Sequence, residues 1–473
     1  MQQALTAFET LLGAKGFSAD PADLAPWLTD WRGRFTGKAA ALLSPADTQQ
    51  VSEVVKIAAK HKIALVPQGG NSGMCAGATP DNSGDAVLLS LRRMNRISSF
   101  DADSGQVTCE AGVILQILHE EVAKYGRRFP LTLGGKGSAT VGGLISTNAG
   151  GTQVLRHGTM RALVTGIEAV MPDGSIFDGM SPLKKDNRGY DLKHLLIGAE
   201  GTLGIVTKAI LQTVPALIDR CVAWAGVDSP EAAYRLMLEM QGKAGGALEG
   251  FEILPDAALG NVLTHIEGTR APLGETNHWH VLMEFVSDKA EHQDPSQLAE
   301  SLLSNAMESG LLANAALASS EAQAEAFWKI RDSIAEAERA EGPAMQHDIS
   351  VSVPDMARFI SEETPSIETA FPGCKVIAFG HMGDGNIHYH VKAPKGVSAQ
   401  RWYDDEGKAI SAHVYDRVCE YNGSISAEHG IGQLKLEELA RLADPARLYV
   451  LRGVKNALDP NNIMNPGKLV PLA

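Results

Sequence analysis

The sequence predicts an α+β protein built from more than one domain. Three observations carry this. The chain has 473 residues, and a soft prior of roughly 150 residues per domain implies about three compact units. Short β-rich runs alternate with stretches whose apolar residues recur at three and four positions. The texture also changes near residue 216, from glycine-punctuated strands to longer Ala/Glu/Leu-rich helices.

Residues 1–36 read as a helical segment. MQQALTAFETLLGAKG carries Glu9 inside its apolar stretch and has no basic leader, so an amphipathic helix is expected rather than a signal peptide. Over 37–215, IALVPQGG, AVLLSL, GQVTCEAGV, GLISTNAGG, GIEAVMPDG and GIVTKAILQTV read as strands ending in turns. TQQVSEVVKIAAKHK and LQILHEEVAKYG read as the helices between them. Over 216–435, SPEAAYRLMLEMQGKAGG, QLAESLLSNAMESG and SSEAQAEAFWKIRDSIAEAERAEG predict helices, with WHVLMEFV, HDISVSV and KVIAFGH as strands. Residues 436–473 are expected to be helical, closing in a Pro/Asn-rich turn.

Composition narrows the function. Apolar residues make up 44% and charged residues 21%, ordinary for a globular chain. The balance of 42 basic and 56 acidic residues gives a net charge of −14. No long basic block is present, which makes nucleic acid and anionic membrane surfaces poor partners. No apolar run is long enough to span a bilayer. Five scattered cysteines without a CxxC argue against a disulfide framework or a Cys zinc site and suit a reducing, cytoplasmic setting.

Glycine is the departure, at 48 residues. Three clusters stand out: PQGGNSGMCAG (67–77), LGGKGSATVGGLISTNAGG (133–151) and IGAEGTLGIVT (197–207). Such loops let backbone N–H groups converge on phosphate. Neither GxGxxG nor GxxxxGK[ST] occurs, so a dinucleotide of the Rossmann type and a P-loop nucleotide are disfavoured. A pyrophosphate cofactor held by another fold remains.

The second half offers metal chemistry. FGHMGDGNIHYH (379–390) holds His381, His388 and His390, and SAEHGIG (426–432) adds Glu428 and His429. Two imidazoles and one carboxylate suit zinc or a similar divalent ion and leave a position open for substrate. Gly383 and Gly385 permit the chain to fold back, and on a strand His390 shares the face of His388. Glu428 and His429 are neighbours, so both serve one site only if the backbone there is irregular; Gly430 and Gly432 allow that.

PQGGNSGMCAG, SATVGGLISTNAGG, KKDNRGYDLKHLLIGAEGTLGIVT, GHMGDGNIH, SAEHGIG and DPNNIMNPGK occur in this order. Together, from about residue 36 onward, they resemble the FAD-linked D-2-hydroxyacid dehydrogenases, which include D-lactate and D-2-hydroxyglutarate dehydrogenases. The resemblance implies a vanillyl-alcohol-oxidase (PCMH-type) FAD domain with a substrate-binding cap, and FAD between the two. It implies pyrophosphate contacts from Pro67, Gly69, Gly70, Asn71, Ser72, Gly73 and Met74. It places Gly134, Ser138, Thr140, Gly142, Gly143 and Asn148 along the isoalloxazine or diphosphate. Glu200, Gly204 and Ile205 would serve the adenine side, and Asn465 would approach the flavin. The first loop lacks His, so non-covalent FAD is expected. The same resemblance makes His381, His388 and Glu428 the metal ligands and His429 the catalytic base. Arg331 would grip the substrate carboxylate, with Gln346, Asn386 and His390 completing the pocket.

This chain departs from the D-2-hydroxyglutarate pattern at three pocket positions. Gln346 stands where those enzymes usually carry Lys, His390 where they carry Asn, and Ala335 where Thr is frequent. D-2-hydroxyglutarate and D-lactate therefore both stand as substrates. The expected electron acceptor is an electron-transfer flavoprotein or quinone, and the expected assembly a homodimer. The competing readings are a metal-independent flavin oxidase using oxygen and a non-catalytic binding protein.

Overall fold

The computed structural model describes residues 1–183, 185–289 and 293–472. Lys184, which opens the KKDNRGYDLK stretch, and Ala473 lie outside these. Two compact units emerge. The first comprises 1–151, 157–216 and 428–473; the second comprises 152–156 and 217–427. No helix among the described residues is long and apolar enough to cross a membrane, and no disulfide joins the cysteines.

In the first unit a four-stranded sheet has the order Phe17–Ser18, Ala41–Leu43, Ala86–Ser90, Ala64–Gln68, its last three strands parallel. Parallel strands need a crossover, and helix Thr48–His61 joins Ala41–Leu43 to Ala64–Gln68, the two strands that flank Ala86–Ser90. Asp47 caps it through Gln50 N, and left-handed Lys62 ends it. Val51, Val54, Val55 and Ala58 form its buried stripe, the spacing of an amphipathic helix. A five-stranded antiparallel sheet follows in the order Ile97–Asp101, Gln106–Glu110, Ile205–Gln212, Val164–Val170, Ile176–Gly179. The N-terminal helix Gln2–Leu12 buries Ala4, Phe8 and Leu12.

One expectation fails here. GLISTNAGG is not a strand: Val141–Thr147 is a helix, with Thr140 accepting from Gly143 N and Asn148 closing it in the left-handed region. The small residues suited either state, and the cap chemistry at each end decided it.

The chain end is built into this unit. Leu65 N donates to Ile463 O and Asn465 N to Leu65 O, extending the parallel sheet. Behind this turn Lys455 is buried, its ammonium bonded to Asp459, Thr202 O and Met464 O.

The second unit is a seven-stranded antiparallel sheet. Its order is Asn314–Leu317, Asp219–Val227, Trp279–Ser287, Leu248–Pro255, Lys375–His381, Asn386–Lys392, Ala344–Ser350. Val222, Trp224, Leu254, Leu282, Ile377 and Phe379 project from one face into a core with helices Asp256–His265, Glu321–Asp332 and Ile334–Glu341. Helices Pro230–Ala244, Val353–Ala370 and Glu406–Glu420 cover the other face. The run SSEAQAEAFWKIRDSIAEAERAEG divides into two helices at Ser333, so Arg331 and Glu338 reach the same sheet face from different helices.

Replacing Lys455 by Met should leave the buried Asp459 carboxylate with the N–H groups of Ile463 and Met464 but no cation, a loss of about 3–5 kcal/mol. Thermal unfolding should show a clearly lower midpoint for the transition that releases flavin.

Candidate active site

In the second unit, the register of one β-hairpin assembles the chemistry. His381 stands opposite Asn386, Phe379 opposite His388, and Ile377 opposite His390. The edge strand sets Asp348 opposite His388 and Gln346 opposite His390. On the other side Glu252 lies opposite His381. Paired residues share a face and alternate residues along a strand return to it. One sheet face therefore collects Glu252, His381, Asn386, His388, His390, Gln346 and Asp348. Gly385, at φ 81°, makes the tight return that the fold-back requires.

His381, His388 and Glu428 offer ligand atoms that all lie within 4.8 Å of one another. Glu428 follows Ala427, whose N–H bonds Asp348 O at 3.3 Å. The backbone then turns irregular, as the sequence required: Gly430 and Gly432 have φ 77° and 53°. The Glu200 carboxylate takes the N–H groups of Ile431 (2.8 Å) and Gly432 (2.7 Å), fixing the chain just after His429. Burial raises the Glu200 pKa against the opposing pull of those two N–H bonds. Two imidazoles and a carboxylate at this mutual distance fit a divalent ion.

Glu252 is the residue that sequence reasoning missed. Its Oε1 bonds His381 Nδ1 at 2.5 Å and its Oε2 accepts from Arg331 Nε at 2.8 Å. Burial would raise its pKa, but Arg331 and His381 outweigh that and hold the carboxyl well below the usual range. The ionised Glu252 accepts a hydrogen bond from His381 Nδ1–H, which puts the His381 lone pair on Nε2, and Arg331 Nη2 donates to that nitrogen at 3.3 Å. A carboxylate behind a ligating imidazole sets its tautomer and aim. The available signal was an acid inside the apolar run LEGFEILP: a buried charge must have a partner.

Asp348 stands behind His388, with Oδ1 3.9 Å from Nδ1, longer than a hydrogen bond. Asn386 donates to Asp348 Oδ1 and Ile349 O, while its own Oδ1 is buried without a partner. Burial, then the charges of Arg331 and His381, push the His388 pKa well down. The neutral imidazole is the form that binds metal. Arg331, on helix Glu321–Asp332, lies over the Phe379 ring at 5.8 Å.

The first unit holds the glycine clusters. A Cβ on Gly69 would lie 2.2 Å from Thr140 Oγ1, and one on Gly70 would lie 1.8 Å from Ser138 O. The loop at 67–74 is thus pressed onto the loop at 134–140, bringing two of the predicted clusters together. Asn71 has φ 51° and its side chain donates to Thr29 O. No turn, loop or cap bond among the described residues uses the N–H of Gly70, Asn71, Ser72, Gly73 or Met74, which suits an anion-binding concavity. Buried Gln68 Oε1 and Asn465 Oδ1 also lack partners, and Asn465 Nδ2 donates to Gly77 O and Glu200 O. These features fit a pyrophosphate cofactor. Pro67 closes the loop against Gly201, and Gly134 faces open space. Others of the predicted set are engaged in packing. Gly142 abuts Ala111 and Gly204 abuts Val170 O; Ile205 sits in the core. The Asn148 side chain accepts from Thr159 and Arg161 N.

Residues 39–179 match the family described as FAD binding domain, and residues 218–469 match FAD linked oxidases, C-terminal domain. The chain is 36% identical to D-2-hydroxyglutarate dehydrogenase, mitochondrial, of Arabidopsis thaliana, over 98% of this chain and 81% of that protein. It is 34% identical to D-2-hydroxyglutarate dehydrogenase of Xanthomonas citri pv. viticola, over 99% and 96%. It is 35% identical to a putative mitochondrial D-lactate dehydrogenase of Schizosaccharomyces pombe, over 99% and 90%. Among solved structures, p-cresol methylhydroxylase matches with a TM-score of 0.77 at 15% identity, over 99% of this chain and 96% of that one. That likeness shows the fold: the PCMH-type flavoprotein architecture. Fold and matched domains therefore define an FAD-dependent oxidoreductase acting on CH–OH donors. More narrowly, the chain belongs to the family of FAD-linked D-2-hydroxyacid dehydrogenases.

Replacing Gly70 by Ala should force the two loops apart and lower the flavin-to-protein absorbance ratio of purified enzyme. Gly242→Ala, on a helix where a Cβ meets nothing within 4 Å, should leave that ratio unchanged.

Proposed function

We propose that this enzyme oxidises a D-2-hydroxy acid of the D-2-hydroxyglutarate or D-lactate type to the 2-oxo acid, with a divalent ion, most simply zinc, at His381, His388 and Glu428. The convergence of those three ligand groups within 4.8 Å carries the reading. Relatives named for both substrates support the substrate class.

When bound, FAD would supply hydride-accepting redox chemistry, and a divalent ion held by His381, His388 and Glu428 would supply Lewis acidity. The chain supplies aim and proton handling. Glu252 fixes the tautomer of His381, and burial favours the neutral form of His388. Arg331, braced by Glu252, brings its guanidinium to the substrate carboxylate. The buried Asn386 Oδ1 offers a hydrogen-bond acceptor on the same sheet face. His429 takes the hydroxyl proton as general base. The glycine loops of residues 67–74 and 134–140 hold the cofactor phosphates. Reoxidation falls to an electron-transfer flavoprotein or quinone.

The test is anaerobic flavin bleaching with D- and L-hydroxy acids, before and after chelation. D-acids should bleach the flavin, L-acids should not, and metal removal should slow the reaction in a way zinc restores. Unchanged activity after complete metal removal would overturn the metal role. His429→Ala should lower the reduction rate by about 10²–10⁴-fold at neutral pH. Glu252→Gln should weaken metal retention by about 10–100-fold, read by competition with a chromogenic chelator.

A further inference from the structure

The backbone that follows His429 is fastened to three other stretches of the first unit. The Glu200 carboxylate accepts Ile431 N–H and Gly432 N–H, one on each oxygen, at 2.8 and 2.7 Å. The loop that continues the phosphate cradle makes a second set of bonds. Cys75 Sγ donates to Gly430 O at 3.2 Å, and Cys75 O accepts Gln433 N–H at 3.1 Å. Gln433 Nε2 donates to Ala76 O and Thr79 O, each at 3.0 Å. From the chain end, Leu469 N–H reaches Gly432 O at 3.0 Å. The fit is close: a Cβ on Gly432 would lie 2.0 Å from Cys75 O.

Glu200 sits where a side chain is disfavoured. Its backbone is left-handed, φ 50°, a conformation that strains most residues and not glycine. Gly198 and Gly201 beside it adopt the same region, at φ 81° and 71°. Glu200 N–H on Ser146 O at 2.8 Å and Asn465 Nδ2 on Glu200 O at 2.7 Å hold the strained residue in place. A strained residue that stands where glycine would be cheaper points to a use for its side chain. That side chain is buried, and Lys435 and Lys468, also buried, supply the opposing charge. Both of its oxygens are turned to the segment that presents His429.

We infer that Glu200 is the positioning residue for His429. Its carboxylate sets the backbone that aims the imidazole, on a turn seated against the loop that follows the phosphate cradle. The inference rests on the reaction proposed above, with His429 as base, and deepens it. Glu200 acts through His429 alone.

A double-mutant cycle on the FAD-loaded enzyme with zinc present tests it. The readout is anaerobic stopped-flow reduction by D-lactate or D-2-hydroxyglutarate, whichever reduces wild type faster. Glu200→Gln keeps the length of the side chain but offers one acceptor oxygen in place of two. It should lower the limiting reduction rate by about 10–10²-fold, the scale of a small misplacement of a reacting group. The substrate dissociation constant and the flavin-to-protein ratio should stay unchanged. In a His429→Ala background the same substitution should cost less than about twofold, because the group it aims is gone. If Glu200→Gln fails to fold, Glu200→Asp keeps the charge beside the two lysines, shortens the reach and should give the same pattern. A loss as large in the His429→Ala background as in wild type would overturn the inference and leave the proposed reaction standing. So would an unchanged rate in the folded variants, or failure of both variants to fold or hold flavin. Failure of both acids to reduce wild type, or an unchanged rate for His429→Ala alone, would overturn the proposed reaction or its base, and the inference with it.

Discussion

The register of one hairpin governs the candidate site. With His381 opposite Asn386, the imidazoles of His381, His388 and His390 and the acids behind them come to the same face of a sheet. A slip of one residue would turn His388 and His390 into the opposite layer and bring Ile387 and Tyr389 out in their place. Nothing local to the three histidines forbids that slip. The neighbours forbid it: Glu252 must find His381, and Asp348 must find His388 and Asn386. An acid buried on the wrong face would have no partner, and the apolar alternates would lose their core.

The same economy explains why the buried charges come in sets. Arg331, Glu252 and His381 form one chain of contacts, His388, Asp348 and Asn386 a second, and His390 with Glu338 a third. Each offsets the cost of taking charge out of water by pairing. Each also fixes the orientation of a side chain at the candidate site, so substitutions at Glu252 or Asp348 should cost stability as well as the proposed activity.

Much of this was legible in the sequence. The spacing in FGHMGDGNIHYH announced a glycine turn between two histidines, and the strand period put His390 beside His388. SAEHGIG signalled irregular backbone through its glycines. Other parts were hidden for physical reasons. Glu338 sits in AEAERAEG, a stretch whose composition reads as a solvated helix, and only tertiary packing turns it inward. GLISTNAGG reads as a strand from its apolar residues, and the Thr140 cap makes it a helix. Gly204 and Ile205 belong to a motif matched as a whole, yet in the fold they serve strand packing. The carboxylate clamp of Glu200 on Ile431 and Gly432 spans 231 and 232 residues of sequence, a separation that no local pattern encodes.

The central proposal is that the imidazoles of His381 and His388 and the carboxylate of Glu428 gather an ion. Anomalous diffraction at the zinc edge, from crystals of enzyme purified without added chelator, addresses it most directly. The account predicts one strong peak within bonding distance of His381 Nε2, the His388 imidazole and the Glu428 carboxylate. A flat map at that position in crystals soaked with zinc, or an ion bound by other side chains instead, would contradict it.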